Sequence, residues 1–475
     1  MRARTILTYV LALTSFVLGC DPDDFVAPWP QSNVEPRDYD ESGLAGPLRA
    51  KADSYDDWHV AWHQPDHGGT VTQRFTDTDY TALDAITYKA DSTIWTGVYL
   101  ASQAMRHHVS GDPEARANAL RMTATLSGTL HVTGVTGYVA RYWAPQTSTA
   151  YFGDEWCDTQ VRCHHLESGP YAGDFWWGET SRDQYIGWLF GLVTAYDLLD
   201  DEPTREAIRA DVLEVFHALL DHGWVIVDER GLPSAVAPQI LISTQLYVSL
   251  IAYHVSGDER ALGELRRLIT DGLRTSYVLN DLNAWNRYNS YFANNLSHIT
   301  WYTILRLGKV YLGAADHDWM RQHFDVDLHT YTRLSHNPWF NAMYMSQGPW
   351  TPAPSDDPYL AQLDLDLTDF PAPPNRWRHT PAREPGSYTV DPFSRDLVAL
   401  WAQFPWLADL LGLVHLQALE ALPVMQQCLN GFQWQHDPFV VEECGADDPT
   451  QVEPGVDYLS AYWLASYHKL LDRGE

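Results

Sequence analysis

The sequence predicts an all-α fold, an α/α toroid of paired inner and outer helices with a loop-rich C-terminal part. Three observations predict it. A pentapeptide recurs word for word, His108-Val-Ser-Gly-Asp112 and His254-Val-Ser-Gly-Asp258, each time between an apolar segment and an amphipathic one. The same order of apolar helix, tight turn and striped helix recurs where the exact words do not, as helical hairpins that bury their faces only against neighbours would require. Almost no segment alternates apolar and polar residues with a period of two, so a β-rich fold is not expected.

In chain order, Arg2 and Arg4 precede Ile6 to Leu18, an apolar run too short to span a membrane comfortably. Phe16-Val17-Leu18-Gly19-Cys20 resembles a bacterial lipobox, in which the cysteine thiol is acylated and becomes the new N-terminus. Residues 1–19 are therefore expected to be a removable lipoprotein signal. Cys20 is the expected lipidation site, holding the protein to a lipid bilayer of the cell envelope, periplasmic or surface-exposed. An ordinary signal peptide cleaved nearby is the alternative. Residues 20–56 are rich in Pro, Asp and Ser without sustained periodicity and read as a flexible tether.

The toroid domain is expected over residues 57–475. In its first hairpin, Ile94, Val98, Ala101, Met105 and Val109 share one helical face. Ser-Gly-Asp stops that helix, and Asp112 is placed to cap the next, with Pro113 at its first position. In the second copy, Ala261, Leu262, Leu265, Leu268, Ile269 and Leu273 form the outer stripe. A further unit runs from the apolar Ile186–Leu199 through Asp200-Asp201-Glu202-Pro203 to a stripe of Ile208, Val212, Val215, Phe216, Leu219 and Leu220. Inner helices are also expected over Ser297–Leu312 and Asp457–Leu471. Residues 340–395, dense in Pro, Trp and Asp, are expected to form long loops over one mouth.

The chain carries 62 acidic and 31 basic residues, and loss of Arg2 and Arg4 with the signal takes the formal charge from −31 to −33. Such a charge repels phosphate backbones and anionic lipid, which argues against nucleic acid as a partner. A 45% hydrophobic and 13% aromatic composition marks a folded protein, and twenty tryptophans suit neutral or sugar-like ligands as well as a core. Beside Cys20 stand Cys157, Cys163, Cys428 and Cys444. Outside the cytoplasm an even number suggests disulfides, with Cys157–Cys163 and Cys428–Cys444 the simplest of three connectivities. Cys157-x5-Cys163-His164-His165 does not have a common zinc spacing, and Pro65 breaks the four-residue spacing of His59, His63 and His67. Neither carries a metal site in this reading, and no cofactor is expected. Asp364-Leu-Asp366 reads as a solvated loop. The motifs of serine hydrolases, nucleotide-binding loops and zincins are absent.

Asp91-Ser-Thr-Ile-Trp95-Thr-Gly97, Val132-Thr-Gly134-Val-Thr-Gly137-Tyr-Val-Ala-Arg141, Trp177-Gly-Glu-Thr180-Ser181-Arg-Asp183 and Gly455-Val-Asp457-Tyr-Leu-Ser-Ala-Tyr462-Trp463 together resemble the six-hairpin glycosidase superfamily. They are most similar to an uncharacterised group of bacterial exported proteins with that fold. The resemblance spans most of residues 85–470. The nearest enzymes by fold, unsaturated glucuronyl and rhamnogalacturonyl hydrolases, use Asp residues at the starts of inner helices, and Asp91 and Asp183 occupy comparable places.

The residues themselves point the same way. Asp91 and Asp183 each open an apolar helix, and a pair of carboxylates about 5–10 Å apart, one protonated and one ionised, is what glycosidic chemistry uses. Asp183 is the expected general acid and Asp91 its partner; helix capping is the competing role for both. Trp95, Trp176, Trp177 and Trp188 are candidate platforms for sugar faces. Asn294, Asn295 and His298 are candidates to bind ligand hydroxyls, or else a capped helix start with a satisfied histidine. Arg141 is a candidate to bind a uronate carboxylate, or else to pair with one of the many acids. The expected function is hydrolysis of an oligosaccharide at the cell envelope. A non-catalytic glycan-binding or scaffold protein, and a polysaccharide lyase or sugar epimerase, are the alternatives on the same fold.

Overall fold

A computed structural model describes residues 46–148, 162–270, 274–280, 288, 290–348, 358–406, 414–445 and 448–471. The expected signal, Cys20 and Cys157 lie outside the described residues. Among the described residues the protein is mostly helical, with two small sheets. None of the described helices is long and apolar enough to cross a membrane.

The repeated pentapeptide acts as the sequence suggests. Helix α1 spans Pro47–Trp62, and α2 (Ser92–Ser110) and α3 (Pro113–His131) form the first hairpin. Gly111 ends α2 in the left-handed region at φ 72°, and the Asp112 carboxylate accepts from Glu114 N at 2.8 Å to start α3. In the second copy Gly257, at φ 69°, ends α6 (Ile242–Ser256), and Asp258 accepts from Ala261 N at 2.9 Å to start α7 (Glu259–Leu268). Between them, α4 (Arg182–Leu198) and α5 (Glu202–Asp221) turn at Asp201, which accepts from Thr204 N. Helices α8 (Arg274–Asn280), α9 (Ala293–Tyr311), α10 (Ala314–His323), α11 (Pro338–Met345), α12 (Pro358–Asp369), α13 (Pro392–Gln403) and α14 (Val456–Tyr467) follow among the described residues.

Helices α2, α4, α6, α9, α11 and α14 carry most of the core, with Leu100, Leu189, Leu250, Ile304, Phe340 and Leu464 all fully buried. Helices α2 and α4 make the closest approach. A Cβ built on Gly187 would stand 2.5 Å from Ile94 Cα, and one on Gly191 would stand 2.5 Å from Gly97 O, so glycine is required where the two backbones touch. This crossing sets the N-terminal ends of α2 and α4 side by side.

Strands β1 (Thr72–Phe75) and β2 (Leu83–Tyr88) form a hairpin, and β6 (Gln451–Val452) pairs antiparallel with β1. The second sheet runs β3–β5–β4, from Tyr142–Pro145, Asp174–Trp177 and Cys163–His165.

Two expected boundaries are corrected. Helix α1 begins at Pro47, inside the segment assigned to the tether, because Ala52, Tyr55, Asp56 and His59 bury one face of it. Residues 340–395 are not loops throughout: α11, α12 and the start of α13 fall within them, and Leu363 and Leu367 of α12 enter the core. Asp366 is accordingly buried on α12, not in a solvated loop, and accepts from His336 Nδ1 at 2.8 Å.

Candidate functional site

Asp91 immediately precedes α2, and Asp183 lies in the first turn of α4. Neither carboxylate caps its helix: both helix starts lack a side-chain capping bond. Asp91 instead accepts from Tyr88 Oη at 2.7 Å, Arg141 Nη1 at 3.1 Å and Gln184 Nε2 at 3.0 Å. Three donors thus converge on the two oxygens of one carboxyl group. Asp183, the residue before Gln184, has no such donors among the described residues, where its partner is Arg182 Nε at 3.8 Å. Burial raises the Asp183 carboxyl above its ordinary value. The Arg182 charge opposes that rise, Asp91 adds to it and Arg141 opposes it. Asp91 and Asp183 are thus electrostatic neighbours in unlike environments, and about a third of the Asp183 side chain remains open to solvent.

Each faces a cavity. Asp183 lines one of about 270 Å³ together with Arg182, Ser243, Thr244, Ser297 and Trp301. Asp91 lines another of about 520 Å³ with Tyr88, Asn430, Gln435, Gln451 and Glu453. Phe292 stands in the wall of both.

The aromatic platforms are not where the sequence put them. Trp95, Trp176 and Trp188 are at most 2% exposed, so they cannot stack on a ligand. Trp95 packs on Phe432 and Trp434, Trp176 on His164, and Trp188 Nε1 donates to Leu126 O. Trp177 is half-buried beneath the Lys89 ammonium, 5.3 Å from its ring centre, and lines neither cavity. Asn294, Asn295 and His298 are fully buried and also fall outside the site. Asn294 Nδ2 donates to Tyr291 O, Asn295 Oδ1 accepts from Trp339 Nε1, and His298 Nδ1 bonds Asn294 O. Burial lowers the His298 imidazole to about 3, as in a neutral core histidine. Arg141 is spent on protein acceptors, with Asp91, Ala90 O and Glu179 O around its guanidinium.

Several residues lining the two cavities were not singled out by the sequence, Phe292 and Glu453 among them. Phe292 sits in the polar run 289–298, where only the Asn and His residues drew attention. Glu453 is placed by the β1–β6 pairing, which brings residues nearly four hundred positions apart together; no local sequence signal marks it.

The Cys428–Cys444 disulfide is present. Cys163 is disulfide-bonded as well. Among the described residues, Cys428, His436 and Cys444 are grouped closely enough to hold a metal, but the disulfide occupies two of the three. His59 and His63 are buried, bonding Pro454 O and Val71 O, while His67 pairs with Asp174.

No protein-family model, curated protein or solved structure matches this chain.

Proposed function

We propose that this protein is an exported, lipid-anchored member of the six-hairpin glycosidase-like group that hydrolyses an oligosaccharide. The toroid it requires is supported by the order of helix contacts. Helix α2 packs on α4, α4 on α6, α6 on α9, α9 on α11, α11 on α14, and α14 returns to α2. Helices α3, α5, α7, α10, α12 and α1 pack outside that series. Six inner and six outer helices are the complement of a closed six-hairpin ring.

The observation that carries the reading is the unlike treatment of two neighbouring carboxyl groups. Asp91 is wrapped by Tyr88, Arg141 and Gln184, whereas Asp183, with no comparable donor among the described residues, has its proton affinity raised. A buried carboxyl with raised proton affinity beside one wrapped by donors is the arrangement of an acid and its partner. Asp183 gives its proton to the glycosidic oxygen as that bond breaks. Asp91 faces the positive charge that develops on the sugar ring, and water adds its hydroxyl to the ring carbon while its proton returns to the Asp183 carboxylate. Because Arg141 is committed to Asp91, the expectation of a uronate substrate loses its binding group.

The test is reducing-end release from a panel of neutral and uronate oligosaccharides by the wild-type protein and by Asp183→Asn. A general acid contributes about 10²–10⁴-fold, so the variant should lose at least that lower factor. Equal release by both proteins would remove the catalytic assignment. Binding without turnover by either would favour the glycan-binding alternative.

A further inference from the structure

The geometry points to the Asp91 cavity as a subsite for a neutral, hydroxyl-rich sugar ring, with Glu453 as the residue that turns anionic sugars away. The inference rests on the carbohydrate reading above and names the substrate class for that site.

The cavity, at about 520 Å³, is within the range of small-molecule sites. Its polar wall is built from hydroxyl, amide and carboxyl groups: Tyr88, Asp91, Asn430, Gln435, Gln451 and Glu453. These are partners for sugar hydroxyls, which both donate and accept. Glu453 is only 6% exposed. Among the described residues its carboxyl takes one hydrogen bond, from Thr72 Oγ1 to Oε2 at 2.8 Å, and Oε1 takes none.

The charges around Glu453 set the selectivity. From the segment before α13 comes Arg376, which Asp457 of α14 holds with two bonds of 2.8 and 2.5 Å. That cation is therefore matched before Glu453 is counted. From the β2–α2 junction come Tyr88 and Asp91, and His436 shares the wall. Behind Pro454 and Val71 lie His59 and His63, whose imidazoles burial holds below their ordinary range. Burial, aided by the Asp457 charge and opposed by Thr72 and Arg376, raises the Glu453 carboxyl to about 7. Above that pH Glu453 adds a charge that no described cation is left to match, since Arg141 is paired with Asp91 and Arg376 with Asp457, and a uronate there would meet that like charge.

The experiment is equilibrium binding by calorimetry at pH 5.5 and 8.5, in the Asp183→Asn protein and in Asp183→Asn with Glu453→Gln. The probes are cellotetraose, mannotetraose and chitotetraose on one side and tetragalacturonate on the other. Uronates are ionised at both pH values, so the change belongs to the protein. We expect at least one neutral tetrasaccharide to bind, and its preference over tetragalacturonate to rise roughly tenfold between the two pH values. Glu453→Gln should flatten that rise. Neutral binding with a preference that does not depend on Glu453, or tetragalacturonate binding as tightly as the neutral sugars at pH 8.5, would overturn the subsite while leaving the carbohydrate reading in place. Failure of every sugar to bind would overturn both.

Discussion

Gly187→Ala tests the contact that sets Asp91 and Asp183 side by side. The new methyl carbon would stand 2.5 Å from Ile94 Cα and 2.6 Å from Ile94 O, and both obstacles are backbone atoms that cannot rotate away. Ordinary carbon contacts need about 3.5–4 Å, so α2 and α4 would have to part by roughly 1 Å. Overpacking of this kind costs about 1–3 kcal/mol, and a rigid backbone obstacle places it at the upper end. Alanine recovers up to about 1 kcal/mol of helix propensity, leaving a net loss of about 2 kcal/mol. Gly263→Ala is the matched control: it lies in α7, and a Cβ there has nothing within 4 Å. It should gain about 0.5–1 kcal/mol. Urea unfolding followed by tryptophan fluorescence reads both. If Gly187→Ala proves as stable as wild type, the close crossing of α2 and α4 is not there.

Other changes have equally definite outcomes. Glu453 has a folded carboxyl value of about 7 against an ordinary 4.5, so its contribution is complete below pH 4.5 and is lost as pH rises through 7. The loss is about 3 kcal/mol, and Glu453→Gln should remove most of it when urea midpoints at pH 4.5 and 8 are compared. Asp457→Ala leaves the Arg376 guanidinium, 3% exposed, buried without its partner. It should destabilise the fold by about 3–5 kcal/mol in the same assay, far more than a surface ion pair would. Replacing Cys428 and Cys444 together with Ser opens a 16-residue span and should cost about 3 kcal/mol in non-reducing urea unfolding, with no such change when the wild type is pre-reduced.

The helical hairpins were legible because their signals are local. Asp112, Asp201 and Asp258 cap the helices that the stripes foretold, and Gly111 and Gly257 end the ones before. The positions of Asp91 and Asp183 at helix starts were legible for the same reason: polar residues directly before apolar runs. The tryptophans were not. Helices such as α4 are apolar all round, so periodicity offers no face by which Trp188 could be told to point inward. The sheets escaped notice because their strands have two to six residues, too few for alternation to register. Glu453 and Phe292 depend on contacts between distant segments, which a pattern of period two or 3.6 cannot carry.

The role given to Asp183 is tested most directly by varying the leaving group. A dinitrophenyl glycoside departs without protonation, while a natural sugar leaving group needs the acid. Asp183→Asn should therefore keep kcat/KM within a few-fold on the dinitrophenyl substrate and lose about 100-fold or more on the natural linkage. Equal losses on the two substrates, or no loss on either, would contradict the assignment.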